Sequence, residues 1–348
     1  CLLGLLNGLS IANHLWGIFP LFCYVVYLIF LLFRRQIKVL HVCTFILLWV
    51  AGASPYEWLV IKGFVQSGDL AATLNSALFG DGWQGRVLNT SVTMKIIFEN
   101  VAFILLNFPT PNLLLLFTGI WILWKKTPCR SFANIIFALL ILYFVFAFRY
   151  TVPDRHAFFL PFYCVAAVLM GLGADWVMTK IWGRKFIVVL AVFALLPIAS
   201  YFVTPSLAGK FYKPLAQRRQ RPYRDEYTYW LQPWKTGYHG AERFASEALD
   251  SVEHGAVVYA FTTDVHALLY VQEVKGKRPD VRIVSNYDCS IGIEPLDESM
   301  AAELVAGSAL YVTSMQEGYL PKFLSKQYNF MPHGLLWKVV ELDTGKKI

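Results

Sequence analysis

Charge is scarce in this chain. Acidic and basic residues make up only 16% of 348 residues, while 57% are hydrophobic and 16% aromatic. Soluble domains carry about a quarter charged residues, so a purely soluble protein is excluded. Phosphate-cradling motifs are also missing. There is no GxxxxGK[ST], and no GxGxxG follows a strand. "GLGADW" at 171–176 ends an apolar run, where glycine is expected to serve helix packing. HExxH and CxxC do not occur, and the seven histidines do not cluster, so no metal site is expected. The six cysteines are scattered, and only Cys289 falls in the polar half. Cysteine usage therefore offers no internal disulfide there and does not identify the compartment. No nucleic-acid partner is expected.

What is present divides in two. Charges are sparse up to about residue 203 and frequent and mixed from 204 onward. The expected architecture is an α-helical multi-pass transmembrane domain (1–203), a basic linker (204–235) and a small exterior α/β domain (236–348). The first residue, Cys1, leads straight into an apolar run with no signal-peptide pattern. The chain thus reads as a fragment whose upstream helices are missing.

A span needs ~20 mostly apolar residues. After a polar turn at 10–14, spans are expected near 15–33, 39–53, 110–124, 132–148, 157–178 and 186–203. Three basic clusters orient them: Arg34, Arg35 and Lys38; Lys125, Lys126 and Arg130; and Lys180, Arg184 and Lys185. Each sits in a short hairpin, where the positive-inside rule has most force. With all three on the cytoplasmic side, 54–91, 149–156 and everything after 204 lie outside. "SVTMKIIFENVAFILLNF" (91–108) would break that alternation. Its Lys95, Glu99 and Asn100 are costly at mid-bilayer, which predicts an amphipathic helix on the outer face; a true span with buried charges is the alternative. The basic run from Lys210 to Arg224, which includes Arg218 and Arg219, opposes this orientation. Large domains translocate largely regardless of charge, so it does not reverse it.

The polar half alternates helix and strand patterns. "GAERFASEALDSV" has helical spacing, and "AVVYAF" reads as a strand. "TTDVHALLYVQEV" opens on the cap residues Thr262, Thr263 and Asp264. "KGKRPDVRIVS" is a turn and strand, "MAAELVAG" a helix, and "ALYVTS" and "GLLWKVVEL" are strands. Alternation of this kind argues a largely parallel sheet. Ligands favour the carboxyl ends of such strands, which makes "FTTD" a candidate binding edge, although a simple helix cap is the commoner reading.

Three polar joints fall on the outer side: the turn at Asn13 and His14, the loop beginning "SPYEW" with Tyr56, and "RYTVPDRH". The last puts Arg149, Tyr150, Asp154, Arg155 and His156 between two apolar runs, with Pro153 and Pro161 fixing the loop. Interfacial anchoring would explain a lone arginine. Two arginines, a histidine and an aspartate form a denser signal. Arginine binds phosphate bidentately, so a lipid phosphate or pyrophosphate is the candidate ligand, and Asp154 pairs with Arg155 to orient it, binds a sugar hydroxyl or merely balances charge.

Four stretches, "GLSIANH", "GASPYEWLVI", "YTVPDRHAFFLPFY" and "LLYVQEVKGKRPDVRIV", carry a resemblance. In order and spacing the chain resembles a family of multi-pass membrane proteins that includes the animal protein O-mannosyltransferase acting on IPT domains, and bacterial members. The resemblance implies a GT-C type glycosyltransferase. Such an enzyme moves a sugar from a polyprenyl-phosphate carrier to a protein or lipid acceptor on the outer or lumenal face. No cofactor beyond that lipid-linked donor is implied, and membrane lipids are the other partners. The acidic catalytic residue of such enzymes lies in an early exterior loop, upstream of Cys1, so no catalytic base is named. Asn13, His14, Tyr56, Tyr150, Asp154 and Pro161 match motif positions, and the donor phosphate and sugar are assigned to Asn13, His14, Tyr56, Arg149, Tyr150, Asp154, Arg155 and His156. The chain departs from the family pattern after "SPY", where Glu57 stands and no proline follows. A bacterial inner membrane is favoured over the endoplasmic reticulum. The rival class is non-enzymatic: a transporter, flippase subunit or assembly scaffold with an exterior binding domain.

Overall fold

The computed structural model describes residues 2–80, 84–127, 129–152, 155–211, 213, 221–261, 263–286, 293–316 and 318–342. Asp154, Pro153, Thr262, Arg218, Arg219, Cys1 and Cys289 lie outside the described residues. The chain divides into two compact units between Ser200 and Tyr201, whereas the sequence suggested 203/204.

The first unit is helical. It comprises α1 (Leu2–Asn13), α2 (Ile18–Phe33), α3 (Val39–Ser67), α4 (Leu70–Phe79), α5 (Gln84–Val87), α6 (Met94–Asn107), α7 (Leu115–Lys126), α8 (Arg130–Arg149), α9 (Leu160–Val177) and the start of α10 (Ile187–Phe211). Short 3₁₀ turns at Leu15–Gly17, Pro111–Leu114 and Arg155–Phe159 lead into α2, α7 and α9. Five helical stretches are long and apolar enough to cross a membrane: 15–33, 39–67, 130–149, 155–181 and 187–211. The expected span at 110–124 belongs instead to a bent pair, in which α6 meets 111–126 at 106°. The segment at 91–108 does form a helix, and it turns sharply away from the one that follows.

The "SPYEW" loop requires correction, because Ser54, Pro55 and Tyr56 lie inside α3, which continues to Ser67. Proline has no N–H to offer the carbonyl four residues back. The Ser54 hydroxyl donates to that carbonyl, on Ala51, at 2.9 Å, so the helix passes through Pro55 intact. At ~1.5 Å per residue, 29 residues exceed the ~30 Å of bilayer hydrocarbon, so the polar end of α3 can extend past it.

Helix direction follows from glycine contacts. Gly4 of α1 backs onto Phe45, and Gly8 onto Trp49, Gly52 and Ala53, so α1 and α3 run parallel. Contacts that rise from Gly119–Leu169 to Trp121–Trp176 make α7 and α9 parallel too. Each pair is separated by one helix in the chain, which must reverse direction between them. Gly119 of α7 meets Leu169, and Gly173 of α9 meets Leu115 and Gly119, backbone against backbone. The glycine of "GLGADW" that packs is therefore Gly173, while Gly171 faces open space.

The second unit contains the remainder of α10, α11 (Glu226–Leu231), α12 (Gly240–Ser251), β1 (Val257–Tyr259), α13 (Thr263–Leu269), β2 (Arg282–Val284), α14 (Glu298–Ala306), β3 (Leu310–Val312), α15 (Lys322–Gln327), β4 (Tyr328–His333) and β5 (Leu336–Glu341). The strand order is β2-β1-β3-β5-β4. β2, β1 and β3 are parallel, whereas β5 and β4 form an antiparallel hairpin beside them. The sheet is thus mixed. β4 escapes the sequence pattern because Pro332 lies within it, which only an edge strand tolerates.

Side-chain alternation along the strands builds two cores. Val258, Tyr311, Ile283 and Leu336 pack with Phe244, Leu249, Val265 and Leu268 of α12 and α13. Val257, Tyr259, Val284, Leu310 and Val312 pack on the opposite face with Ala301 and Val305 of α14 and Leu324 of α15. The period of two thus yields helices on both faces of the sheet. Each fully buried Val or Leu stabilises by about 1.5–3 kcal/mol.

The "KGKRPD" turn is a clamp. Arg278 adopts φ 51°. Its guanidinium donates to the carbonyl of Leu249 in the last turn of α12 and to those of Val252 and Glu253 just beyond it, at 2.6, 3.0 and 2.9 Å. It also forks onto Asp280 at 2.9 and 2.8 Å, and that carboxyl is held well below the usual range by the fork.

Candidate functional site

The site begins where α8 ends. Arg149 occupies the last turn, where a cation suits the helix dipole. Its Nη1 donates to the carbonyls of Val87 and Asn89 at 2.7 and 2.8 Å, and Asn89 Nδ2 returns a hydrogen bond to the Arg149 carbonyl at 3.2 Å. The guanidinium carbon stands 5.1 Å from the Phe146 ring centroid. Arg149 therefore ties the 84–91 segment to the end of α8. A guanidinium has five N–H donors, and its hydrogen bonds among the described residues use Nη1 alone.

α6 supplies the rest of the wall. Asn100 is fully buried and donates to the Phe148 carbonyl at 2.7 Å, satisfying a terminal carbonyl of α8. Its Oδ1 is buried without a hydrogen-bond partner among the described residues. One residue earlier, Glu99 forms an ion pair with Arg155, whose side chain is 7% exposed against 28% for Glu99. Arg155 also lies over the Phe103 ring, 5.4 Å from its centroid. Burying an unpaired guanidinium costs several kcal/mol, and the opposed carboxylate offsets much of that.

The 13–17 turn closes on the same place. Asn7 fixes it, donating to the Gly17 carbonyl at 2.9 Å and accepting from Trp49 Nε1 at 3.0 Å. The His14 Nδ1 accepts the Trp16 N–H at 3.2 Å, which assigns the ring proton to Nε2. Phe158 then joins the two joints. Its ring centroid lies 6.5 Å from His14, 5.1 Å from Trp16 and 4.4 Å from Tyr150.

The chain matches no family, no curated protein and no solved structure. What it can do is read from its own residues.

Of the residues singled out in the sequence, His14, Tyr150, Arg155 and His156 come together around the 155–159 turn, with Asn13 exposed beside His14. Arg149 stands one residue before Tyr150. Tyr56 is engaged elsewhere: its hydroxyl donates to the Ala77 carbonyl of α4 at 2.5 Å. Asp154 lies outside the described residues. Among the described residues, Arg155 pairs with Glu99, 56 positions away in sequence. In the sequence, Glu99 and Asn100 argue only against 91–108 as a span. The signal available was the charge itself, since an acid in an apolar helix marks a paired or functional group. No group of His, Cys, Asp and Glu able to hold a metal occurs among the described residues. Chemically, the cluster offers guanidinium and imidazole donors beside aromatic faces, a set suited to an oxyanion carried on an apolar chain.

Proposed function

We propose that the chain is part of a GT-C type membrane glycosyltransferase. It takes a sugar from a polyprenyl-phosphate donor and transfers it to a protein or lipid acceptor at the periplasmic or lumenal face. The observation that supports this reading is the meeting of the His14–Trp16 turn with the 149–158 joint, where Arg155 is held by Glu99. Displacement at the anomeric carbon leaves a phosphate that gains negative charge. Preorganised cations stabilise such charge without reorganising, which is the role given to Arg149 and Arg155. His14 and His156, both exposed, contribute further donors. The polar second unit is assigned to the exterior of a bacterial inner membrane.

The 106° break between α6 and 111–126 favours a second reading, because discontinuous helices are the means by which transporters and flippases bind at depth. One assay separates the two. Purified full-length protein in nanodiscs is given a panel of polyprenyl-phosphate sugars. The transferase moves radiolabelled sugar to acceptor. A flippase instead moves the intact lipid-linked sugar across vesicle leaflets with no new glycoside. Donor binding should fall at least tenfold in Arg155→Lys, which keeps the charge opposite Glu99 but loses the planar fork, and stay unchanged in Lys126→Ala. Equal effects would remove the phosphate assignment, and absence of transfer and donor binding across the panel would end the enzyme reading. Cysteine substituted at positions 156 and 126 should label from opposite faces.

A further inference from the structure

A cleft of about 510 Å³ opens in the second unit. It lies at the carboxyl edge of the parallel strands, where Asp264 follows β1 and Gln316 and Tyr319 follow β3. Sites in α/β sheets form at this edge, and the volume is within the ~300–1,000 Å³ of small-molecule pockets. The "FTTD" segment thus does contribute to a concave surface through Asp264. That carboxylate is buried, with 6% of its side chain exposed, and it pairs with Arg221 at 3.1 Å.

Its lining has two properties that together narrow the ligand. First, each arginine is matched by a carboxylate. Arg221 faces Asp264, and Arg224 donates to Glu226 at 2.7 Å. The cleft therefore presents guanidinium donors beside a carboxylate acceptor, a combination that meets hydroxyls, which donate and accept together. Second, Trp230, Tyr238 and Tyr319 line it with half-buried aromatic rings. Their poses are fixed by neighbours: Trp230 Nε1 donates to Glu226 at 2.8 Å, Tyr238 packs on Tyr229 at 5.3 Å, and Tyr319 meets Phe261 edge-on at 4.9 Å. Exposed Gln316 adds an amide that both donates and accepts.

We infer that this cleft binds a neutral carbohydrate ring. A pyranose has an apolar C–H face for an aromatic surface and a rim of hydroxyls that donate and accept at once. A paired guanidinium, carboxylate and amide satisfy such a rim without requiring charge on the ligand. The inference stands on the cleft alone and does not depend on the transferase reading.

The test uses the full chain in nanodiscs and saturation-transfer NMR with the methyl glycosides of glucose, mannose, galactose and N-acetylglucosamine. Inorganic phosphate is titrated against the protein by calorimetry in parallel. At least one glycoside should bind. Trp230→Ala and Asp264→Asn should weaken it at least tenfold. Gln316→Ala, at an exposed residue whose loss leaves the core intact, should weaken it severalfold with an unchanged melting profile. Arg155→Lys should leave binding as it was, so failure here and failure of the donor site are told apart. The inference is overturned if no glycoside binds, if phosphate displaces the bound glycoside, or if the bound glycoside ignores the Trp230 and Gln316 variants.

Discussion

Replacing Gly119 with alanine tests the packing that carries the 155–159 turn. A Cβ at Gly119 would overlap the backbone carbonyl of Leu169, and a Cβ at Gly173 would stand 3.0 Å from the Gly119 nitrogen. Backbone faces backbone at both places, so no flexible side chain can swing aside and the helices themselves must separate. Overpacking of this kind costs about 1–3 kcal/mol, and the rigid neighbours put Gly119→Ala at the upper end, about 3 kcal/mol. Gly171→Ala is the internal control. It lies two residues from Gly173 on the same helix, and a Cβ there meets nothing within 4 Å. Removing a flexible glycine from a helix interior gains about 0.5–1 kcal/mol. The two substitutions are chemically identical yet should move stability in opposite directions, about 3–4 kcal/mol apart. Thermal unfolding of each variant in nanodiscs, followed by thiol-reactive fluorescence, reads the difference. The start of α9 follows directly on the turn bearing Arg155, so Gly119→Ala should also weaken binding of the proposed polyprenyl-phosphate donor. If Gly119→Ala proves as stable as Gly171→Ala, the close parallel packing of α7 on α9 is wrong.

Two further outcomes concern the second unit. Arg278→Ala strips the end of α12 of a charged donor and should cost about 1.5–3 kcal/mol in chemical unfolding, with Arg278→Lys recovering only part because it cannot reach three carbonyls and fork onto Asp280; full rescue by lysine would contradict the clamp. Glu253 accepts from the Tyr311 hydroxyl and from Lys338 at 3.0 Å, and the tyrosine bond foremost holds its carboxyl down to about 2. A depressed folded value means stability that is complete above the unfolded value of ~4.3 and lost as pH falls toward about 2. Glu253→Gln should therefore flatten the pH dependence of unfolding between about pH 4.5 and 2, and an unchanged acid profile would show that the carboxylate contributes nothing there.

Much of the fold is legible in the sequence because helix length, caps and strand alternation are local properties. The apolar runs give the long helices, and "AVVYAF", "VRIVS" and "ALYVTS" give the parallel strands. Two failures have local causes of a subtler kind. Pro55 reads as a breaker, yet the hydroxyl one residue earlier replaces its missing donor. Pro332 hides β4, because a strand at the sheet edge has no need of that N–H.

The sequence by itself determined that the polar joint at 149–156 exists and that it must find partners, since an arginine beside apolar helices cannot stay unpaired at low cost. Only the tertiary structure decided who those partners are. Glu99 reaches Arg155 across 56 positions because α6 turns 106° away from the helix after it and lies against the end of α8. His14 reaches the same turn through Phe158, and Tyr56 does not, because a continuous α3 commits it to α4. Partner choice depends on helix directions and crossings, which no local pattern encodes. They are set by where glycines let one backbone approach another, as at Gly8 on α3 and Gly119 on α9.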